Sequence, residues 1–338
     1  PLTKELIPSY LCFAREAFGE ASYQSRPGFL RWLYDESPVD GARISDGKVV
    51  VAAGEVVGCY HKMRLPWRFD GREDIVPSPS NLFLLERNRA RGVGFGLISE
   101  TFANHKHLLL IGSGPAVQPI YDRLGARLIK THWLRTVVNP LSAPAFLALH
   151  RVSARLADLS FASARAIAGR LPSAGKLSFD VSVAGREAAE VAEMLVRGAR
   201  ARMHLAWSAE LVRWRFFSPF GPRHVLVRIE DRAIAIVSLG SARSLFVSRT
   251  VEWYAENDAA AFALSLATRA LLTVLGVNVW LAMTSDDRTA SQWRAAGFWS
   301  MKEPPSVYEL HKPRELAFGD VLLNGAGGDS GFEAMPLE

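Results

Sequence analysis

An internal repeat is the feature that most restricts the fold of this 338-residue chain. Four short patterns occur twice in the same order, at an offset that falls gradually along the sequence. Trp32 and Trp214 are 182 residues apart, each followed closely by Ser-Pro, whereas Gly125 and Gly297 are 172 residues apart. A strand–turn–strand pattern and a short apolar strand recur between these points. Four matches in one order indicate two copies of a single structural unit.

Strand and helix patterns alternate within each copy, which indicates the α/β class with a mixed sheet. Apolar residues make up 49% of the chain, enough for two sizeable cores. We expect one domain over residues 1–140 and a second over residues 177–318. A helical connector is predicted over residues 141–176, and the Gly-rich, acidic tail over residues 319–338 is expected to be flexible.

The chain is basic, with a formal net charge of +6 and more Arg than Lys. Such a charge suits a nucleic acid, an anionic membrane surface or a phosphorylated ligand. The sequence has neither a dense Lys/Arg block nor zinc-finger spacing, which argues against a nucleic-acid partner. Cys12 and Cys59 are far apart and form no metal-binding pattern. This cysteine usage, and N-terminal residues without a signal arrangement, lead us to expect a reduced, cytoplasmic setting.

The sequence Arg89-Ala90-Arg91-Gly92-Val93-Gly94 follows an apolar run and precedes a helical pattern over residues 95–105. Two glycines let the backbone approach a bulky ligand closely, because no Cβ intervenes. Unpaired N–H groups at a helix start, together with the helix dipole, favour an anion such as a pyrophosphate. Leu97 replaces the third glycine of a Rossmann fingerprint, and the Gly-Lys-Ser/Thr triplet of a P-loop is missing. A solvated basic turn is the alternative interpretation.

The pattern Arg-x-x-Gly-x-Gly at a strand-to-helix turn resembles the acyl-CoA signature of the GNAT superfamily of N-acyltransferases. The resemblance implies two tandem GNAT-like domains joined by the connector, with acetyl-CoA as the donor. It also implies that backbone N–H groups near the strand end polarise the thioester. The residues expected to bind the cofactor are Leu84, Leu85, Arg89, Arg91, Gly92, Val93, Gly94, Phe95 and Gly96.

Tyr121 and Gly125 form the pattern Tyr-x-x-x-Gly, after a predicted strand over residues 107–111 and within a short predicted helix over residues 117–124. In the GNAT family this pattern occupies the same position, and its tyrosine usually protonates the departing CoA thiolate. The resemblance therefore implies that Tyr121 is the general acid. An aromatic ring that packs the helix onto the sheet is the alternative.

Glu86 is the candidate acceptor for the proton of the attacking amine, since it follows the strand that leads into the cofactor turn. A carboxylate that faces solvent beside Arg87 is the alternative. His61, His105 and His107 are weaker candidates, and the last two also fit a helix cap and a strand start. No His, Cys, Asp and Glu pattern has the spacing of metal ligands, so no metal is expected.

The second copy differs chemically from the first. It lacks the glycine turn before its long helix, predicted over residues 259–275, and has Trp293 in the position of Tyr121. We therefore expect that it lost cofactor binding and forms one wall of the acceptor site. Aromatic rings stack on sugars, and arginines bind carboxylates or phosphates. The candidate substrate-binding residues are Tyr34, Arg215, Arg249 and Trp253.

Residues 143–171 of the connector have one apolar stripe flanked by arginines. The stripe fits an interdomain helix or hairpin packed on both cores. It also fits an amphipathic surface that touches an anionic leaflet, which would place the protein at the inner face of the membrane.

These features predict an N-acyltransferase that moves an acetyl or short acyl group from acyl-CoA to a primary amine. The acceptor is a small molecule or a glycan amine, and an amino sugar of a surface polysaccharide is a candidate by analogy. One alternative is a tandem aminoacyl transferase of the type that builds peptidoglycan cross-bridges. Another is a non-catalytic CoA-binding sensor.

Overall fold

The computed structural model describes residues 1–20, 22–89, 92–113, 117–138, 180–182, 185–242, 245–301, 306–311 and 321–327. We call residues 1–138 the first half and residues 180–327 the second half. The predicted connector lies entirely outside the described residues, as do Arg91 and most of the predicted tail.

The first half alternates helices with strands, as the sequence predicts. Its elements are α1 (Ile7–Phe18), α2 (Gly28–Leu30) running into a π-helical turn (Arg31–Asp35), β1 (Lys48–Ala52), β2 (Glu55–Phe69), β3 (Arg72–Leu84), α3 (Val93–Asn104), β4 (His107–Ser113), α4 (Gln118–Arg123), β5 (Arg127–Ile129) and β6 (His132–Val137). Gly125 adopts a positive φ of 81° and ends the α4 turn.

The second half repeats this order. Its elements are β7 (Asp180–Ser182), α5 (Ala188–Gly198), β8 (Met203–Leu205), α6 (Ala209–Val212) running into a π-helical turn (Arg213–Phe217), β9 (His224–Ile229), β10 (Ala233–Ala242), β11 (Leu245–Ala255), α7 (Asp258–Val274), β12 (Val279–Thr284), α8 (Asp287–Ala295), β13 (Trp299–Ser300) and β14 (Ser306–His311). In each half, three consecutive strands (β1–β3 and β9–β11) precede a long helix, a strand, a short helix and two strands, whereas β7 and β8 have no counterpart in the first half.

Capping residues set the bounds of the longest helix. The Asn257 side chain accepts a hydrogen bond from the Ala260 N–H at 3.0 Å, which satisfies one of the unpaired amides at the start of α7. Gly276, with φ of 75°, follows the C-terminal end of the helix. The observed bounds differ from the predicted range, residues 259–275, by one residue at each end.

The strands form three sheets. In the first, β1, β2 and β3 are consecutive antiparallel neighbours, and β8 pairs with the far end of β2. The second has seven strands in the order β13-β6-β12-β11-β10-β9-β7, and the third has the order β4-β14-β5.

The last strand of each half lies in a sheet of the other half. β6 lies between β12 and β13, with Arg135 opposite both Leu281 and Trp299. β14 lies between β4 and β5, with Glu309 opposite both Leu109 and Arg127. The predicted boundary at residue 140 therefore divides the chain but does not divide the sheets.

One large core joins the halves, and the two repeated tryptophans lie at its centre. Trp32 and Trp214 are stacked, with ring centroids 5.0 Å apart and an interplanar angle of 14°. The Trp32 Nε1–H donates to the Trp214 carbonyl at 2.8 Å, and the Trp214 Nε1–H donates to the Trp32 carbonyl at 2.7 Å. The two residues occupy the same position of the two π-helical turns, so the contact is reciprocal.

Residues 321–327 differ from the expected flexible tail, because they are packed inside the molecule. Leu323 and Ala326 are fully buried in the large core, together with Trp67. The Ser285 N–H donates to the Leu323 carbonyl at 2.9 Å, and the Leu323 N–H donates to Ser285 Oγ at 2.8 Å. Apolar burial and strand-like bonding outweigh the local richness in glycine, which composition alone cannot anticipate.

Candidate active site

The predicted cofactor turn begins where β3 ends. Gly92 adopts the left-handed conformation, with φ of 70°, and is the N-cap of α3. The Gly96 N–H donates to the Gly92 carbonyl at 3.0 Å, which is the first bond of the helix. Helix geometry leaves the N–H groups of Val93, Gly94 and Phe95 without a partner within the helix. The turn therefore presents amides at the positive end of a helix dipole, as an anion requires.

The glycines keep the outer surface of this turn open. A Cβ built at Gly92 or Gly96 would have no atom within 4 Å, whereas one at Gly94 would lie 3.3 Å from Leu84 Cδ1. Phe95 is half exposed on the first turn of the helix. The structure thus brings Leu84, Gly92, Gly94, Phe95 and Gly96 to one place.

Leu85 differs in part from its predicted role. The residue is buried, and its N–H donates to the Val57 carbonyl at 3.0 Å. That amide is already bonded within the protein and is not available to polarise a thioester.

Positive charge is held at the turn by a side chain that bends back onto the strand end. Arg89 donates from Nε to the Leu84 carbonyl at 3.1 Å, and its guanidinium lies 5.4 Å from the centroid of the Phe83 ring. Glu86 lies on the preceding 3₁₀ turn (Glu86–Asn88) and is exposed. Its neighbour Arg87 forms an ion pair with Glu16. Both candidate charges, Arg89 and Glu86, therefore lie within a few residues of the glycines.

The strands beside the turn are parted in the first half and paired in the second. β3 and β4 are neighbours, since His107 Nε2 lies 3.5 Å from Asp74 Oδ2, yet they belong to different sheets. Their counterparts β11 and β12 form a parallel ladder over Val247–Thr250 and Val279–Ala282. A bulge in the β2–β3 pairing near Asn81, which has φ of 53°, adds to the divergence close to the end of β3.

Tyr121 lies on α4, the helix that follows β4 in the chain. It is buried, and its ring stacks on Phe102 of α3 at a centroid distance of 5.6 Å. This ring thereby joins α4 to the C-terminal part of α3, the helix that begins at the glycine turn. The position fits the predicted acid and equally fits the alternative of an aromatic residue that packs helix against sheet.

His61 is part of a buried network rather than an exposed base. Its Nδ1 lies 2.8 Å from the Tyr34 hydroxyl and its Nε2 lies 3.0 Å from the Tyr10 hydroxyl. Burial lowers the pKa of His61 to about 3, so the ring is neutral and bonds to both tyrosines. This network also binds the hydroxyl of Tyr34, a predicted substrate residue, inside the core.

The other predicted substrate-binding residues, Arg215, Arg249 and Trp253, do not lie on the same element as Tyr34. Arg215 is fully buried, its Nε bonded to the Ala326 carbonyl at 3.4 Å. Trp253 is buried on β11 against Trp293, with centroids 5.7 Å apart, and Arg249 is half-buried on the same strand. Among these residues, Trp253 lines an open cleft.

The second half has no glycine turn at the start of its long helix. Asn257 caps α7 with its own side chain, and Asp258 places a negative charge on the first turn. The Asp258 carboxylate accepts a hydrogen bond from Gln292 Nε2 at 3.0 Å. The Asp258 carboxylate would repel a phosphate bound at the start of α7, so α7 is a poor anion site compared with α3.

A cleft of about 410 Å³ was not anticipated from the sequence. Most of its lining comes from the second half, around the C-terminal ends of β11 and β12, whereas Ile129 and Lys130 come from the first half. The side chains of Lys130 and Arg200 are exposed. Beneath the cleft lie Glu252 and Asn324, both buried and joined through Asn324 Nδ2 and Glu252 Oε2 at 2.8 Å. The only sequence signal was a charged residue within the apolar β11 pattern.

The described residues contain no group of three or more His, Cys, Asp or Glu side chains placed to hold a metal ion. In the same residues, we find no helix with the length and apolar character needed to cross a bilayer.

The order of helices and strands gives a mixed α/β fold, and solved structures of N-acyltransferases share this fold. Saccharomyces cerevisiae N-myristoyltransferase with bound myristoyl-CoA matches 91% of this chain and 80% of its own, at 13% identity and a TM-score of 0.62. A GCN5-related N-acetyltransferase from Kribbella flavida matches 91% of this chain and 69% of its own, at 15% identity and a TM-score of 0.57.

A probable N-acyltransferase from Enterococcus faecalis V583 is also similar, at 11% identity and a TM-score of 0.52, over 91% of this chain and 70% of its own. No protein-family model matches the chain, and no curated protein is detectably similar to it in sequence. At these identities the likeness establishes the fold alone, so the predicted mixed α/β fold is confirmed, whereas the two tandem domains and the helical connector stay predictions.

Proposed function

We propose that this chain is an acyl-CoA N-acyltransferase whose first half binds the donor. The observation that supports this most strongly is the coincidence of two features at one place. β3 and β4 are parted, and the helix between them starts with an open glycine turn. A pyrophosphate at the α3 amides would allow the pantetheine to run between the parted strands.

The reaction needs a neutral amine, a polarised thioester and an acid for the thiolate. The amine attacks the thioester carbonyl, the C–S bond breaks, and Tyr121 gives its proton to the departing sulfur. The stack of Tyr121 on Phe102 would hold the hydroxyl in one position relative to α3. Glu86 is exposed beside the turn and would accept the amine proton directly or through water.

The donor we propose is acetyl-CoA or another short acyl-CoA, and the acceptor is a primary amine. An amino sugar of a surface polysaccharide is our candidate by analogy. The N-myristoyltransferase among the similar structures holds myristoyl-CoA, so a panel of acyl-CoAs from acetyl to myristoyl is the direct measurement of chain length. We further propose a cytoplasmic protein that touches the inner membrane face through its connector.

We also propose that the two halves are copies of one unit and that the second no longer binds CoA. The repeated element order and the reciprocal Trp32–Trp214 contact support the first statement. The Asn257 cap, the acidic Asp258 and the fully buried Trp293 support the second.

Calorimetric titration with CoA and acetyl-CoA tests donor binding. Gly94→Asp places a carboxylate beside the pyrophosphate, so we expect affinity to fall about tenfold or more, which corresponds to about 1.4 kcal/mol. Gly71→Asp, at the open tip of the β2–β3 hairpin, controls for the added carboxylate and should bind normally. Because Gly71 has a φ of 83°, at which a side chain is strained, circular dichroism should first show that this variant is folded. Folded protein that releases no heat with either ligand would refute the proposal.

Tyr121→Phe separates an enzyme from a sensor. If Tyr121 is the acid, turnover of acetyl-CoA with an amine should fall about 100-fold or more, because general acid catalysis contributes at least that much. CoA affinity should remain unchanged, since the ring still stacks on Phe102. A CoA sensor would show no turnover with either residue, and an aminoacyl-tRNA-dependent enzyme would not bind CoA at the α3 turn.

A further inference from the structure

A small polar chamber lies beneath the cleft of the second half. It has a volume of about 20 Å³, and Glu252, Trp253, His204 and Asn324 are among its lining residues. This volume accommodates one group the size of a water molecule. Trp253 and Leu322 line both the chamber and the 410 Å³ cleft, so the two spaces adjoin.

Two buried polar atoms at the chamber have no hydrogen-bond partner among the residues the structure describes. They are the donor Nε1 of Trp253 and the acceptor Oδ1 of Asn324. Their side chains are 6% and 5% exposed, respectively, so bulk water does not solvate them. Buried polar atoms without partners are costly, and the pair therefore indicates a small guest that both donates and accepts hydrogen bonds.

The cleft beside the chamber offers space for the part of a ligand that extends beyond a polar group bound in the chamber. Tyr254 is half-buried along one wall, and Lys130 and Arg200 are exposed at the opening. Lys130 lies 3.4 Å from Asp287. The cleft, with a volume of about 410 Å³, has room for a chain of several methylene groups beside the chamber.

We propose that the second-half cleft binds a primary amine, with its nitrogen in the chamber next to Glu252 and its carbon chain in the cleft. The nitrogen donates to Asn324 Oδ1 and to the Glu252 carboxyl group, and it accepts from Trp253 Nε1 when neutral. The residues that line the chamber include none from the cofactor turn or from α4, so this amine site is separate from the acyl-transfer centre proposed above.

Binding of the amine releases one proton. Burial raises the pKa of Glu252 to about 8. The hydrogen bond from Asn324, a hydrogen bond from the backbone N–H of Trp253 and the charge of Arg215 each lower this pKa, but by less than burial raises it. At neutral pH the amine arrives as R–NH₃⁺ and Glu252 is protonated. The bound pair holds one proton fewer, as an ammonium and a carboxylate or as an amine and a carboxylic acid, and the other proton passes to solvent. His204, whose Nδ1 lies 2.9 Å from the Leu205 carbonyl, is the other titratable group at the chamber.

The test compares ligands on the unaltered protein in the absence of CoA. We expect saturable calorimetric binding of n-butylamine that strengthens about tenfold per pH unit below pH 8, as release of one proton requires. N,N,N-Trimethylbutan-1-aminium is too large for the chamber and should not bind, and 1-butanol should bind weakly without pH dependence. No saturable binding of n-butylamine, or equal binding of its trimethyl analogue, would overturn the proposal.

Variants test the same site from the protein side. Glu252→Gln keeps the shape of the side chain and should weaken n-butylamine at least tenfold and abolish its pH dependence. Glu256→Gln changes an exposed carboxylate at the same end of β11 and should bind as the unaltered protein does. Asn324→Ser is the second variant if Glu252→Gln does not fold, and unchanged affinity in it would contradict the site. If CoA binds in a way that depends on Gly94 but n-butylamine does not bind, only the amine site is refuted. If n-butylamine binds but CoA does not, only the proposed function is refuted.

Discussion

Buried ionisable side chains should dominate the response of this protein to pH. Burial lowers the pKa of His61 and His224 from 6.5 to about 3, with Arg215 adding to the effect at His224. Burial raises the pKa of Glu252 from 4.5 to about 8. The two kinds of group act in opposite directions, because each is held in its neutral form in the folded state.

The free energy of unfolding should therefore be greatest near pH 6.5. Below pH 6.5 the unfolded chain takes up protons at both histidines while the folded protein does not, so stability is lost as pH falls. Between pH 4.5 and 8 the unfolded chain loses the Glu252 proton that the folded protein keeps, so stability falls as pH rises. Each group contributes about 1.4 kcal/mol per pH unit within its window, so the two histidines outweigh Glu252 up to pH 6.5.

Urea denaturation at several pH values measures this dependence. In Glu252→Gln the decline between pH 6.5 and 8 should disappear, whereas the loss at acid pH should remain. A stability maximum that stays at pH 6.5 with an unchanged alkaline decline in Glu252→Gln would show that another group is responsible.

At the scale of elements, the two π-helical turns act as a pair. Trp32 and Trp214 each donate to the carbonyl of the other, so removal of one indole N–H leaves a buried carbonyl without its partner. Trp32→Phe and Trp214→Phe should each destabilise the protein by about 2 kcal/mol. The double variant should lose less than the sum, by about 1 kcal/mol or more, because the two residues share one contact.

A double-mutant cycle by urea denaturation gives the coupling energy. Trp280 belongs to a different core cluster, where its Nε1–H donates to Thr250 at 2.8 Å. Trp32→Phe combined with Trp280→Phe is therefore expected to be additive. Additivity in the Trp32–Trp214 cycle would argue against a coupled pair.

At the scale of the whole molecule, the exchanged strands make the halves interdependent. Without the second half, β6 loses both neighbouring strands, and the space between β4 and β5 loses β14. Open strand edges and exposed apolar faces favour aggregation. We expect fragments 1–160 and 161–338 to be insoluble when expressed singly and to co-purify as a folded complex when expressed together.

Circular dichroism and thermal unfolding of the two fragments, alone and together, measure this dependence. The intact chain should unfold in one cooperative transition, because one core and two exchanged strands join the halves. A soluble fragment 1–160 with its own cooperative transition would show that the first half does not need β14.

Features that depend on residues close together in the chain could be predicted from the sequence. Gly92 and Gly125 adopt positive φ at the two predicted turns, and α7 has its predicted bounds to within one residue, because each depends on the backbone chemistry of a few adjacent residues. The repeat at Trp32 and Trp214 was also visible, although nothing in it showed that the two rings touch.

By itself, the sequence determined the element order, the glycine turn and the mixed α/β class. Only the tertiary structure decided that β6 and β14 change places, that residues 321–327 are buried, and that Glu252 meets Asn324 across 72 residues. Strand pairing uses backbone groups that every residue has, so its partners are selected by the packing of the whole chain rather than by a local pattern.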